Sequence, residues 1–172
     1  MGDANLSILR HLRTTPGVLR LICAVTEEEA SWKPSPKRWS VLEVLGHLSH
    51  VEVAGFRGRT ERMLKEDNPS LPPYDPDVFA AAGAYGGRTL AQALDEFERE
   101  REISLRLLEN LPPGAASRGG LHGELGPVTV SHLLNEWPLH DLGHIRQIAE
   151  LIRAVKYHPH IGPWQRVYSM NP

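Results

Sequence analysis

One cysteine, Cys23, stands in a chain of 172 residues, so no intrachain disulfide framework can exist. It lies in the apolar run Val18-Leu19-Arg20-Leu21-Ile22-Cys23-Ala24-Val25, which reads as core packing rather than as a reactive thiol. Long hydrophobic runs are also missing. No window approaches the roughly 18 uninterrupted apolar residues of a membrane span. The N-terminus lacks a charged segment followed by an apolar stretch, so no secretory signal is visible and a cytoplasmic location is the expectation. Nor is there an excess of either charge: 19 Lys and Arg against 21 Asp and Glu give a net −2, with no general field to attract nucleic acid or an anionic membrane. Nothing repeats at a fixed period, and no strand-like alternation is visible.

What remains is a globular composition, 41% apolar and 23% charged, of a length that suits a single domain over residues 1–172. Helix starts are marked by their caps. Thr15-Pro16 offers an N-cap hydroxyl and a proline at the first helical position, which predicts a helix from there to about Val25, after a short apolar-periodic segment around Leu6, Leu9 and Leu12. Ser40-Val41-Leu42-Glu43 is a capping box, with Trp39 and Val44 placed as its hydrophobic staple, and predicts a helix to about Lys65. Residues 68–88 are rich in proline and glycine and read as a long irregular crossover. Thr89-Leu90-Ala91-Gln92 is a second capping box, opening a helix to about Leu111, which Pro112-Pro113-Gly114 stops. Residues 115–127, with Gly119, Gly120, Gly123 and Gly126, read as a loop. A fourth helix is predicted from about Thr129 to Val155, kinked by Pro138. Four long helices with one long crossover define an all-α four-helix bundle.

Histidine is the residue in surplus, with nine copies. His140 and His144 are spaced i, i+4 and project from one side of the fourth helix, along the edge of an apolar arc that includes Leu134, Trp137, Ile145, Ile148, Ile152 and Val155. His47 lies at the edge of the second helix's arc, beside Val44, Val51 and Ala54. Two imidazoles from one helix and a third from a facing helix can form a three-nitrogen site with open positions. Such a site suits zinc, nickel, copper or iron. The alternative is a half-buried histidine pair with no ligand role.

These segments resemble the DinB-like superfamily, including its YfiT-like branch of metal-dependent thiol transferases. The resemblance rests on Trp39 to Leu48 with Glu52 after it, on Leu107 to Leu111, on Gly126-Pro127-Val128-Thr129, on His140 to Ile148, and on Ile161-Gly162-Pro163-Trp164. It implies a four-helix bundle binding one divalent metal through His47, His140 and His144, with zinc or nickel first and iron or manganese after them. It also implies a small-molecule substrate, a low-molecular-weight thiol among the candidates, and a homodimer. The reaction class it implies is transfer of a small thiol to an electrophile, or hydrolysis.

Two acids fall where acids are unexpected. Asp141 sits near the middle of the fourth helix's apolar arc, and Glu52 on the apolar side of the second helix. Each is a candidate acid/base, or an acceptor for the far ring nitrogen of a ligand histidine. Each is also readable as half of a buried ion pair, with Arg101 the candidate partner of Asp141, and a kink at Pro138 that rotates Asp141 outward is a further alternative. Glu43 is accounted for by its capping box. His50 and His132 read as solvated or half-buried polar residues, His122 as a loop residue near the substrate, and His158 and His160 as a tail that contacts a neighbouring subunit. A metalloprotease reading of His140 to His144 needs glutamate where Asp141 stands, and that side chain is one methylene too short. The non-catalytic alternative is a metal-stabilised helical module that dimerises or binds a partner.

Overall fold

The computed structural model describes residues 3–172, with side chains from Leu6 onward. Four long helical stretches form its frame: α1 (Asp3–Ile22), α3 (Val41–His50) running through a π-helical segment (Val51–Arg57) into α4 (Gly58–Lys65), α6 (Leu90–Glu109) and α7 (Val130–Ile152). Helix α1 packs on α6 and α7, and α3 packs on the same two, so the four close into a ring. A short helix, α2 (Glu27–Ser31), precedes α3 and another, α5 (Pro76–Ala81), precedes α6.

Both predicted capping boxes are present. Ser40 accepts from the Glu43 backbone and Thr89 from that of Gln92, while each N3 side chain accepts from the cap's own N–H. Thr26 with Glu29 and Thr129 with His132 form two more, opening α2 and α7. The expected start at Thr15-Pro16 is overturned: α1 is one helix that runs through Pro16. Proline has no N–H to give the carbonyl four residues back. That carbonyl, Leu12 O, instead accepts from Arg101 Nη1 at 2.9 Å, and the Thr15 hydroxyl donates to Asp141 rather than capping anything. Tertiary partners thus replace the bond the proline removes.

The all-α expectation also needs correction. A small sheet of order β1-β2-β3 joins Ser70–Leu71, Gly119–His122 and Gly126–Thr129, the first pair parallel and the second antiparallel. These strands are two to four residues long, β2 and β3 opening on glycine, and are too short for alternation to show. A Cβ on Gly120 would stand 2.9 Å from the Pro69 carbonyl, so glycine is what allows β1 and β2 to approach. The segments read as irregular, 68–88 and 115–127, therefore contain β1 and α5, and β2 with the start of β3.

The second long helix differs from its prediction in phase. A π-helical turn holds more residues than an α-turn, and after Val51 the inward face shifts. Glu52, Gly55 and Phe56 are buried while Val53 and Ala54 face solvent, which removes Ala54 from the arc assigned to it.

The interior has two apolar clusters, one around Leu19, Leu45, Phe97 and Ile148, the other around Leu12, Phe56, Leu108 and Trp137. One buried polar residue from each long helix, Thr15, Glu52, Arg101 and Asp141, joins a single hydrogen-bonded cluster.

Candidate metal centre

Arg101 is 1% exposed, and its five N–H groups all find acceptors. Nε and Nη2 donate to the two Glu52 oxygens, each at 2.9 Å, Nη1 and Nη2 donate to Asp141 at 2.6 and 2.9 Å, and the second Nη1 proton goes to Leu12 O. Trp137 Nε1 donates to Glu52 and the Thr15 hydroxyl to Asp141. Burial opposes the guanidinium charge, but Asp141 and Glu52 outweigh it and hold the pKa above its ordinary value. Both candidate acids therefore face Arg101. Neither makes a hydrogen bond to a ring nitrogen of the three histidines.

One peptide away, His140 points to the other side of α7. Its Nε2 lies 3.2 Å from His47 Nε2 and 3.2 Å from His144 Nε2, and a ligand atom of each histidine lies within 4.8 Å of the others. The edge of a tetrahedron drawn around zinc with Zn–N bonds of about 2.0–2.1 Å is roughly 3.3 Å. The two short separations match it. His47, at 3% exposure, comes from α3, and the pair comes from adjacent turns of α7.

A hydrogen bond fixes the tautomer of His144. His144 Nδ1 lies 2.8 Å from Gln147 Oε1, an acceptor only, so Nδ1 carries the proton and Nε2 presents its lone pair. His47 Nδ1 lies 2.8 Å from the Tyr74 hydroxyl, which sits 3.0 Å from that of Tyr85. Burial pushes the Tyr74 phenol well above its ordinary pKa, so it stays neutral. His140 Nδ1 is buried without a partner. Burial, with the neighbouring imidazoles adding to it, pulls His47 down to about 2 and His140 to about 4, and burial lowers His144 as well. All three rings are neutral at pH 7, the form that ligates metal. A single shared proton cannot satisfy three nitrogens that converge on one point, whereas a cation can. The Glu52–Arg101–Asp141 cluster carries a formal −1 in the interior, and Asp141 offsets part of the burial that lowers His140 and His144.

Aromatic packing holds the rings. Trp39 lies against His47 with centroids 5.0 Å apart, and Phe56, stacked on Trp137, meets His140 edge-on at 5.4 Å. A Cβ on Gly46 would stand 2.6 Å from the Tyr85 carbonyl, so glycine beside His47 is what lets the tyrosine segment reach the site.

Two cavities meet at His140 and His144. A narrower one of about 350 Å³ is walled by Val51, Phe56, Tyr74, Val128 and Leu133 and reaches His47. A wider one of about 910 Å³ runs from Trp39 towards Lys37, Arg38 and Arg146. An apolar cavity of about 380 Å³ between Ile8, Leu108 and Pro113 has no titratable group in its lining and so offers no chemistry.

Of the remaining histidines, His122 is buried on β2 and lines the narrower cavity, its Nδ1 accepting from the Glu124 and Leu125 backbones across the hairpin turn. His50 packs among Tyr74, Phe79 and Tyr85, and His132 caps α7. Sequence reasoning missed Tyr74, Tyr85 and Gln147. Gln147, three residues after His144, had a detectable signal in its helical spacing; the tyrosines lie in a segment whose path the sequence does not reveal.

The fold and site define a helical bundle with a three-histidine centre able to hold a metal. A family model described as the DinB superfamily matches residues 10–148, and the chain belongs to that superfamily. Among solved structures, YfiT from Bacillus subtilis, described as a probable metal-dependent hydrolase with an unusual four-helix bundle topology, superposes with a TM-score of 0.80. The match covers 90% of this chain and 89% of that one at 20% identity, a likeness of fold. A search of curated proteins finds no match. Among the described residues no helix is long and apolar enough to cross a membrane.

Proposed function

We propose that this protein is a metal-dependent enzyme acting on a small molecule, by hydrolysis or by transfer of a low-molecular-weight thiol. The observation that carries this is the convergence of three neutral imidazoles, two of them held by Gln147 and Tyr74, where two cavities meet. A divalent ion held there, zinc or nickel before iron or manganese, would lower the pKa of water or a thiol towards neutrality and polarise a substrate oxygen. The chain's own residues do the rest. Tyr74 and Gln147 orient His47 and His144, and Val51, Phe56 and Leu133 keep one side of the site apolar. Asp141 and Glu52 are positioning residues: through Arg101 they fix α7 against α3 and α6, and with them the separation of His140 from His47. Hydrolysis is supported by the description of YfiT, thiol transfer by the resemblance of the histidine motifs.

A second reading, a metal-stabilised module that pairs with another copy, is favoured by Leu139 and Leu142, exposed at 70% and 52% on α7. The same face would serve a homodimeric enzyme.

Elemental analysis of the untagged protein, beside His47→Ala and His144→Ala, tests the proposal. The expected result is about one metal per chain in the parent, lost in both variants, with hydrolysis or thiol conjugation of model electrophiles lost alongside it. Full metal retention in either variant, or no metal uptake by the parent after reconstitution, would overturn it. Metal that raises the melting temperature without supporting any turnover would favour the second reading.

A further inference from the structure

The pairing of charges singles out one wall of the site. Of the 19 lysines and arginines, most have a carboxylate oxygen within 4.0 Å. Among the described residues six have no Asp or Glu oxygen that close: Arg10, Lys37, Arg38, Arg59, Arg146 and Arg166. Four of these six line the cavities that meet at His140 and His144, in a chain whose net charge is −2.

The two cavities differ in how those cations are balanced. In the narrower one Arg59 stands with Glu124 and Glu136, so that wall is not basic. The wider one brings together Lys37, Arg38 and Arg146 with Asp77 and Glu150 as its acidic side chains, and Glu150 is already paired with Arg153. Arg38 donates to the Pro172 carbonyl, so an oxygen acceptor of the chain itself already sits on one of its five N–H groups. Three cations converging on a concave surface raise the local concentration of anions, and guanidinium forks match carboxylate and phosphate oxygens.

We propose that the groove rimmed by Lys37, Arg38 and Arg146 binds an anionic part of the substrate, bearing carboxylate or phosphate oxygens, whose reacting end lies at His140 and His144. This rests on the metal-enzyme reading for the reacting end only; the anion site is a property of the rim. At about 910 Å³ the groove is near the upper end of small-molecule sites and accommodates a ligand larger than the narrower cavity would.

The test titrates citrate and inorganic pyrophosphate separately into the full chain stripped of metal, at low salt, with backbone amide NMR as readout. Saturable shifts are expected at residues 37–39 and 143–147. The Lys37→Gln/Arg146→Gln variant is expected to weaken binding by about tenfold or more, the scale of a lost charged hydrogen bond, while Arg166→Gln leaves it unchanged. Tighter citrate binding identifies carboxylate as the recognised group; tighter pyrophosphate binding identifies phosphate. Absence of saturable shifts, or equal affinity in all three proteins, overturns the proposal. Failure of the metal reading is recorded separately, as no zinc uptake by the same preparation.

Discussion

The peptide joining His140 to Asp141 carries two buried polar clusters that are completed in opposite ways. Around Asp141 every valence is closed within the chain: five guanidinium protons meet five acceptors, and the spare carboxylate lone pairs take Trp137 and Thr15. Around His140 three nitrogens converge, and its own Nδ1 has no partner. Burial and polarity are common to both clusters, so neither identifies a functional site here. Incomplete satisfaction does. A closed network belongs to the fold, whereas a set of lone pairs aimed at one point awaits a ligand.

Substitutions break this comparison in graded ways. The largest effect is expected from Arg101→Met, which strands two buried carboxylates and should cost about 3–5 kcal/mol in urea unfolding of the metal-free protein. A loss below about 1 kcal/mol would show that the layer is not the closed unit described. Gly46→Ala comes next, because its new methyl would meet the Tyr85 carbonyl at 2.6 Å. Overpacking of this kind costs about 1–3 kcal/mol, and metal affinity should fall with stability as the tyrosines move away. Tyr74→Phe separates the clusters more sharply. It should lower metal affinity about 10- to 100-fold in a chelator competition while leaving metal-free unfolding nearly unchanged. Equal effects on both would place Tyr74 with the fold instead.

The smallest effect concerns Cys23, a polar atom in neither cluster. Burial pushes its thiol up to about 12 from 9.0. The folded chain therefore holds that proton where the unfolded chain has lost it. The contribution is fully present below pH 9 and is lost as pH rises towards 12. At pH 8 a thiol reagent should label Cys23 only on unfolding; rapid labelling of the folded protein would contradict its burial.

The sequence revealed those parts of the molecule whose causes are local. The boxes at Ser40 and Thr89 close within four residues, and the His140–His144 pair needs only helical spacing, so these were legible. Thr15-Pro16 has the same local form as a helix start, yet its hydroxyl and the carbonyl behind it are satisfied by Asp141 and Arg101, far along the chain. No local pattern distinguishes the two cases. The strands were hidden by their brevity, and Tyr74 and Tyr85 by a segment whose path is set by packing on Gly46. For Glu52 and Asp141 the sequence marked acids on apolar arcs without showing which way they point. The π-helical turn then decided the environment of Glu52.

That turn carries a consequence for length variation along the lineage. Because it holds about one residue more than the α-turns on either side, a one-residue deletion between 51 and 57 can be taken up by a return to regular winding, which leaves the residues beyond it close to their present phase relative to His47. Met63 would stay in the core, whereas the same deletion within α3 or α4 would turn every residue beyond it by about 100°. In the second long helix, then, the π-turn is where chain length can change by one residue while the histidine centre stays coupled to the bundle that holds it.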